Sequence, residues 1–483
     1  MASELKTKAL SGVIWSFVQR FGTMAISFVS NIVLARLLTP DDYGVIGMLM
    51  IFIAVSNTFI DGGFGSALIQ KKEPTQADYS TIFWWNMFLS LVIYGLLFLG
   101  APAIAKFYNL PLLTDVLRVQ GFVLILNALS IIQQNQLRKQ LKFKRLATVT
   151  VISATLSASI AIALAYMGWG VWALVAQQLM LSGFNAIQLW VLNKWYPLLA
   201  FSKESFKQLF GFGGFILASN LINTVFNKLQ VLIIGKLFNP STLGYYTQAV
   251  KLEDVISHSI SSVVEQVSYP ILSEVQNDNN SLKNMLYKFS SMIAFATTPL
   301  MFILIISAKA IIVTLYTEKW LPSAEYFQIL CFAGIAICLQ GISYYAVASK
   351  GRSKEIFKWT LIKRTLGGAL IIISTIIWGM NGLLWGYCAA AWLLLLVNQY
   401  LVSRYIGYTL FQQYKDLLPI FILSFIVFAI TVTTINLIDV NIYFKGIIGS
   451  IIYFTIYIGS AYLFNIKAFI FLINNIREFI HKK

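Results

Sequence analysis

Apolar stretches of membrane-spanning length recur along the whole chain, and they restrict its fold more than any single motif does. A helix needs about 20 mostly apolar residues to cross the hydrocarbon of a bilayer. Read between charged or Pro/Gly-rich breaks, the first half offers spans at about 12–37, 44–68, 81–105, 116–134, 147–166 and 171–192. The second half offers 209–237, 244–268, 287–313, 326–348, 357–377 and 383–403, and a final pair follows at 417–437 and 444–465. This leaves no room for a soluble domain of ordinary size. Only 11% of the residues are charged, against about a quarter in a soluble domain, which excludes a soluble enzyme. The expected fold class is an all-α integral membrane protein with about 14 transmembrane helices.

The net charge of +17 would suggest nucleic acid in a soluble protein, but here the basic residues sit in loops between apolar runs. One alternate set of loops and tails holds roughly 26 Lys and Arg, including the clusters Arg138, Lys139, Lys142, Lys144, Arg145 and Lys350, Arg352, Lys354, Lys358, Lys363, Arg364. The other set holds roughly 7: Arg36, Lys106, Arg118, Lys236, Lys309, Lys319 and Lys445. Positive residues concentrate on the cytoplasmic side, so both termini are assigned there and no nucleic-acid partner is expected. Lys6 and Lys8 precede an apolar run too long for a signal-peptide core, and the start reads as a retained first helix. The tail from Lys467 to Lys483 spaces Phe469, Leu472, Ile473, Ile476, Phe479 and Ile480 as one helix face beside Arg477, which suits an interfacial amphipathic helix.

An internal repeat appears at the outer ends of spans one and seven. Ala35-Arg36-Leu37-Leu38-Thr39-Pro40 followed by Gly44 matches Gly235-Lys236-Leu237-Phe238-Asn239-Pro240 followed by Gly244, at a constant offset of 200 residues. A second echo pairs Gly170-Val171-Trp172 with Gly382-Leu383-Leu384-Trp385 at an offset near 212. Six spans separate each pair, so the halves are parallel repeats. The expected organisation is two six-helix bundles, 1–200 and 201–405, two further helices in 406–466, and a cytoplasmic tail, 467–483. Parallel repeats of this kind recur in transporters, with substrate handled at the cleft between them.

Polar residues inside the spans mark the wet faces, because an ionisable side chain in hydrocarbon costs on the order of 3 kcal/mol and seeks a partner or a cavity. In span one Ser16, Arg20, Thr23, Ser27 and Ser30 form one helical stripe. Asn220, Asn223 and Asn227 repeat it in span seven at the 200-residue offset. Span eight carries Lys251, Asp254, His258, Ser261 and Glu265 along one face. For the Ser, Thr and Asn positions two readings stand, interhelical hydrogen bonding and contact with a substrate. Arg20 and Lys251 are read as cations of a cavity, although Lys251 and Asp254 also have the spacing of an intrahelical pair. Asp254, His258 and Glu265 are the candidates for ion coupling, and Glu253, on another face, reads as end-of-helix solvation.

Chemistry-bearing motifs are otherwise missing. The sequence contains no Walker A, HExxH or GxSxG pattern and only two histidines. Cys331, Cys338 and Cys388 lie in apolar runs and read as small hydrophobes, so no metal, disulfide or cofactor is expected. Asp41-Asp42 reads as the N-cap region of span two. Asp61-Gly62-Gly63-Phe64-Gly65 and Gly211-Phe212-Gly213-Gly214 read as helix breaks or close helix approaches rather than as a dinucleotide fingerprint.

The stretches Ala35-Arg36-Leu37-Leu38-Thr39-Pro40-Asp41-Asp42-Tyr43-Gly44, Gly65-Ser66-Ala67-Leu68-Ile69-Gln70 and Gly168-Trp169-Gly170-Val171-Trp172-Ala173-Leu174 resemble bacterial polysaccharide exporters. They are similar to the lipopolysaccharide-biosynthesis flippase branch of the multidrug/oligosaccharidyl-lipid/polysaccharide superfamily, over essentially the whole chain. The resemblance implies an alternating-access flippase of the bacterial inner membrane, moving undecaprenyl-diphosphate-linked sugar units between leaflets. It implies a cationic cavity for the diphosphate, with Arg20 and Lys251 on the helices where such members place cavity cations. It also implies membrane lipids, a polysaccharide polymerase and glycosyltransferases as partners in the same route.

Three other readings compete. A drug/cation antiporter of the same superfamily would have an acid-dominated cavity, for which Glu265, Asp254 and Asp61 are available. A membrane-embedded sugar polymerase would need a large outer loop or an acidic motif, and neither is seen. A scaffold of an envelope assembly complex would have no cavity residue that matters. The orientation is testable without knowing the activity. With Cys331, Cys338 and Cys388 replaced by Ala, single cysteines at Leu110 and Glu318 are expected to react with an impermeant maleimide in intact cells, and those at Lys142 and Lys350 only after the membrane is opened.

Overall fold

The computed structural model describes residues 2–471 and Ile473. Among them every regular element is helical, as spanning segments require, because a helix satisfies its own backbone groups where lipid supplies no partner. Eleven helical stretches are long and apolar enough to cross a membrane. The expected 14 would need three more, and three are on offer. The stretch Glu355–Ile406 is two helices meeting at Trp378 and Gly379, while Val171–Asn193 and Pro240–Glu274 are of spanning length but more polar.

The chain divides into two compact units, Met1–Gly244 and Tyr245–Lys483. The first holds α1 (Ala2–Leu37), α2 (Pro40–Asp61), α3 (Phe64–Gln70), α4 (Gln76–Tyr108), α5 (Leu113–Gln120), α6 (Val123–Lys139), α7 (Phe143–Tyr166), α8 (Val171–Asn193), α9 (Lys203–Leu237) and the start of α10 (Pro240–Glu274). The rest of α10, α11 (Asn279–Tyr316), α12 (Pro322–Ser349), α13 (Ser353–Ile406), α14 (Leu410–Asn436) and α15 (Ile442–Leu463) form the second. Of the expected tail helix, residues 467–471 are helical, while Leu472, Ile476, Arg477, Phe479 and Ile480 lie outside the described residues.

Local chemistry sets the helix ends. Thr39 caps α2 with Pro40 in the first turn, its side chain accepting from the Asp42 N–H while the Asp42 carboxylate accepts from the Thr39 N–H at 2.9 Å, so Asp42 has the expected N-cap role. The second crossing is broken after Asp61, where Gly62 and Gly63 adopt φ of 59° and 71°, a left-handed conformation that glycine takes without a Cβ penalty. A Cβ on Gly63 would lie 2.4 Å from the carbonyl oxygen of Gly213. The two glycine-rich stretches therefore meet each other, which is the close helix approach expected of them. Beyond the break, the Lys139 ammonium donates to the carbonyls of Leu68 and Ile69, each at 3.1 Å, and to that of Lys71, closing the C-terminus of α3.

The 200-residue repeat becomes a contact inside the first unit. A Cβ on Gly44 would stand 1.9 Å from the Pro240 carbonyl oxygen, and one on Gly244 would stand 2.0 Å from that of Pro40. The Ser241 hydroxyl donates to Asp41 Oδ1 across the same junction at 2.7 Å. The second echo needs correction. Gly170, with φ 52° and ψ −130°, is matched in backbone shape by Gly379, with φ 61° and ψ −137°, rather than by Gly382. Trp169-Gly170 and Trp378-Gly379 are the equivalent pairs, at an offset of 209 residues instead of 212.

In the second unit a buried core of Val264, Leu272, Leu282, Ile342, Val347, Leu401 and Ile406 ties α10 to α11, α12 and α13. Cys331, Cys338 and Cys388 are buried and unbridged, in keeping with their reading as small hydrophobes. The glycine junction gives a sharp test. Gly44→Ala and Gly244→Ala each force backbone apart, and each is expected to cost at least 1–3 kcal/mol, on the order seen for overpacked cores. Gly95→Ala, which meets nothing within 4 Å, should leave the melting temperature in detergent unchanged or raised.

Candidate functional site

The polar stripe of α1 lies beside its packing face. Gly12 abuts the ring of Phe143 on α7, and Gln19 Nε2 donates to the Thr150 hydroxyl at 3.1 Å. One residue step turns a helix by about 100°, so Ser16, Arg20, Thr23 and Ser27 sit round from that contact. Arg20 and Ser27 are exposed, and Ser16 and Thr23 are half-buried. Thr23 donates back to the Gln19 carbonyl at 2.7 Å. Ser30 is buried and accepts from Gln177 Nε2 on α8 at 3.1 Å, which is helix packing. On α9, Asn220 and Asn227 are exposed and Asn223 is half-buried. Among the α9 contacts to α2 is Thr224, whose hydroxyl lies 3.2 Å from that of Thr58.

In the second unit α10 presents Lys251, Asp254, His258 and Glu265 exposed along one face, with Ser261 half-buried among them. Glu265 accepts a hydrogen bond from the Tyr345 hydroxyl on α12. Tyr387 of α13 lies within electrostatic reach of Asp254, Glu253 and Arg364, and Tyr246 within reach of Asp254 and Glu253. The charged part of this unit thus combines Lys251 and Asp254 with Arg364, which lies on a helix rather than in a loop.

Two expectations change here. Glu253, read as solvated at a helix end, is 3% exposed. It accepts from the Ser257 hydroxyl, and a Cβ at Gly334 on α12 would come within 2.6 Å of its Oε1. Lys363 and Arg364, counted with the cytoplasmic loop, lie within α13. Lys363 is 5% exposed and its ammonium donates to Asn398 Oδ1 at 2.5 Å, joining the two arms of α13. The signal was present in the sequence, since both residues fall inside the 357–377 apolar run.

This arrangement is that of a multi-pass membrane protein with the fold of multidrug/oligosaccharidyl-lipid/polysaccharide superfamily transporters. It is similar in fold to "Lipid II flippase MurJ, inward closed conformation", with a TM-score of 0.73 and 15% identity over 94% of this chain and 99% of that one. An inward-facing multidrug resistance MATE family transporter of the MOP superfamily gives a TM-score of 0.59 at 14% identity, over 82% and 98% of the two chains. The family described as "Polysaccharide biosynthesis protein" matches residues 33–325, more than half of the chain, and the chain belongs to that family. Among relatives, the teichuronic acid biosynthesis protein TuaB of Bacillus subtilis (strain 168) is 25% identical over 417 residues, 86% of each chain. The lipopolysaccharide biosynthesis protein WzxC of Escherichia coli (strain K12) is 21% identical over 416 residues, 85% of this chain and 84% of that one.

The buried Lys363–Asn398 bond gives a test of its own. Asn398→Leu strands an ammonium among apolar groups and is expected to cost about 1.5–3 kcal/mol, the usual worth of a hydrogen bond to a charge. Adding Lys363→Met should recover part of that loss, and a double-mutant cycle of melting temperatures in detergent measures the coupling.

Proposed function

We propose that the chain is a flippase that carries undecaprenyl-diphosphate-linked oligosaccharide from the cytoplasmic to the periplasmic leaflet of the bacterial inner membrane by alternating access, with both termini in the cytoplasm. The observation that carries this reading is the ionisable face of α10, where exposed Lys251 stands with Asp254, His258 and Glu265, and where Arg364 of α13 adds a second cation near Asp254 and Tyr387. Fixed cations away from bulk water favour a diphosphate, because attraction between charges grows as the local dielectric falls. Arg20, exposed on α1, is a further cation for anion binding. Thr23, Asn220, Asn223 and Asn227 supply hydrogen bonds for sugar hydroxyls. Asp254, His258 and Glu265 serve ion coupling, with Glu265 oriented by Tyr345.

The two six-helix repeats, 1–200 and 201–405, are the moving parts in this scheme, and the chain performs no covalent chemistry. Glycosyltransferases supply the lipid-linked substrate on the inner face, and a polymerase consumes it on the outer face. The relatives TuaB and WzxC, named for teichuronic acid and lipopolysaccharide biosynthesis, support the substrate class.

The test is transport of a fluorescent lipid-linked oligosaccharide in proteoliposomes. Wild type is expected to move it to the protected leaflet, and Arg20→Ala, Lys251→Ala and Arg364→Ala are each expected to slow transport roughly 10-fold or more at equal protein, the size of a lost charge-assisted contact. Export of organic cations by a wild type that moves no lipid-linked sugar would instead establish the antiporter.

A further inference from the structure

A second basic site lies in the second unit, away from the α10 face. A cavity of about 600 Å³ opens between α11, α12, α14 and α15. Lys309 of α11 and Lys445 of α15 line it together with Gln328 and Asn436. Its remaining wall is apolar, including Ile305, Ile306, Phe428 and Val432. The helices are held close at this point, since a Cβ on Gly446 would come within 2.7 Å of Ala310 Cβ.

The two lysines are unusual in both number and surroundings. By the positive-inside reading the outer face carries roughly 7 basic residues, and two of them converge on this one cavity. Among the described residues neither ammonium has a hydrogen bond or an ion pair to a protein group. Asp439 in the α14–α15 connection, and Glu318 and Glu325 near the start of α12, are exposed and bridge neither lysine. The Gln328 amide is already spent on the Ile305 carbonyl at 2.9 Å. Both lysines lie near helix ends, Lys309 seven residues before the end of α11 and Lys445 in the first turn of α15. Near the ends of spanning helices a lysine stem rests on apolar surface and its ammonium reaches the polar layer.

We infer that this cavity binds the phosphate of an anionic lipid at the outer leaflet, with Lys309 and Lys445 on the phosphate and the isoleucines, Phe428 and Val432 against its hydrocarbon. The pairing of two unneutralised ammonium groups with an apolar wall suits a molecule with both a phosphate and a chain, and suits a free anion less well. The leaflet follows from the orientation proposed above, whereas the site itself does not depend on transport. The same chemistry belongs to a glycerophospholipid and to a polyprenyl phosphate, and the experiment separates them.

The full chain, purified in detergent, is titrated with phosphatidylglycerol, undecaprenyl phosphate or zwitterionic phosphatidylcholine, and bound lipid is counted by native mass spectrometry. Wild type is expected to retain one of the two phosphate-bearing anionic lipids at least about 10-fold more strongly than phosphatidylcholine, and the stronger of the two identifies the source. Lys309→Gln with Lys445→Gln should abolish that preference at an unchanged melting temperature without added lipid. Lys309→Arg with Lys445→Arg, which keeps the charge, should retain it. Equal retention of all three lipids by wild type, a preference that survives the double Gln variant, or loss in the Arg variant to the same extent as in the Gln variant would each overturn the inference. Because the readout is binding, an absence of flippase activity would leave this result standing.

Discussion

Hydrocarbon offers a peptide group no hydrogen bond, and each interruption of a helix in this chain answers to that constraint. At the α2–α3 break the backbone keeps bonding to itself, the Gly62 N–H donating to the Thr58 carbonyl and the Ala67 N–H to that of Gly63, while the far end of α3 is taken up by the Lys139 ammonium, which binds the carbonyls of Leu68, Ile69 and Lys71. The interruption in α13 falls at Trp378 and Gly379, where two helical arms join. Short polar side chains elsewhere do the same on a smaller scale, as when Thr23 donates back to the Gln19 carbonyl of its own helix.

The same constraint explains why polar groups are informative in this protein. Ser30 with Gln177, and Lys363 with Asn398, are closed pairs whose work is packing. The α10 face differs in kind: four ionisable side chains stand exposed along it, and Arg364 and Tyr387 adjoin it from another helix. A helix that exposes such a face costs too much in lipid unless water or a charged ligand meets it. The functional reading rests on that difference between buried polar pairs and an exposed ionisable face.

Sequence carried the fold class well, because hydropathy over about 20 residues is a signal summed over a long window. It also carried the faces of α1, α9 and α10, since a stripe needs only helical periodicity. It failed where one residue step changes the environment. Glu253 and Asp254 are neighbours in sequence, yet a turn of about 100° puts one in the core and the other on an exposed face. Lys363 was legible as a charge but not as a partner of Asn398, which lies 35 residues away. The break at Trp378-Gly379 falls where the sequence ends one span and begins the next, but its pairing with Gly170 was missed, because backbone shape, and not residue type alone, identifies Gly379 as the counterpart.

The junction of Gly44 with Pro240 and of Gly244 with Pro40 is self-complementary, in the manner of an isologous contact between identical subunits. Between two segments at a constant offset of 200 residues, such a contact makes each backbone the limit on the other's side chain. A side chain added to either glycine is blocked by the other copy's backbone, so neither can drift alone. The few positions that still match at a spacing of 200 residues include the ones where each half serves as the other's template.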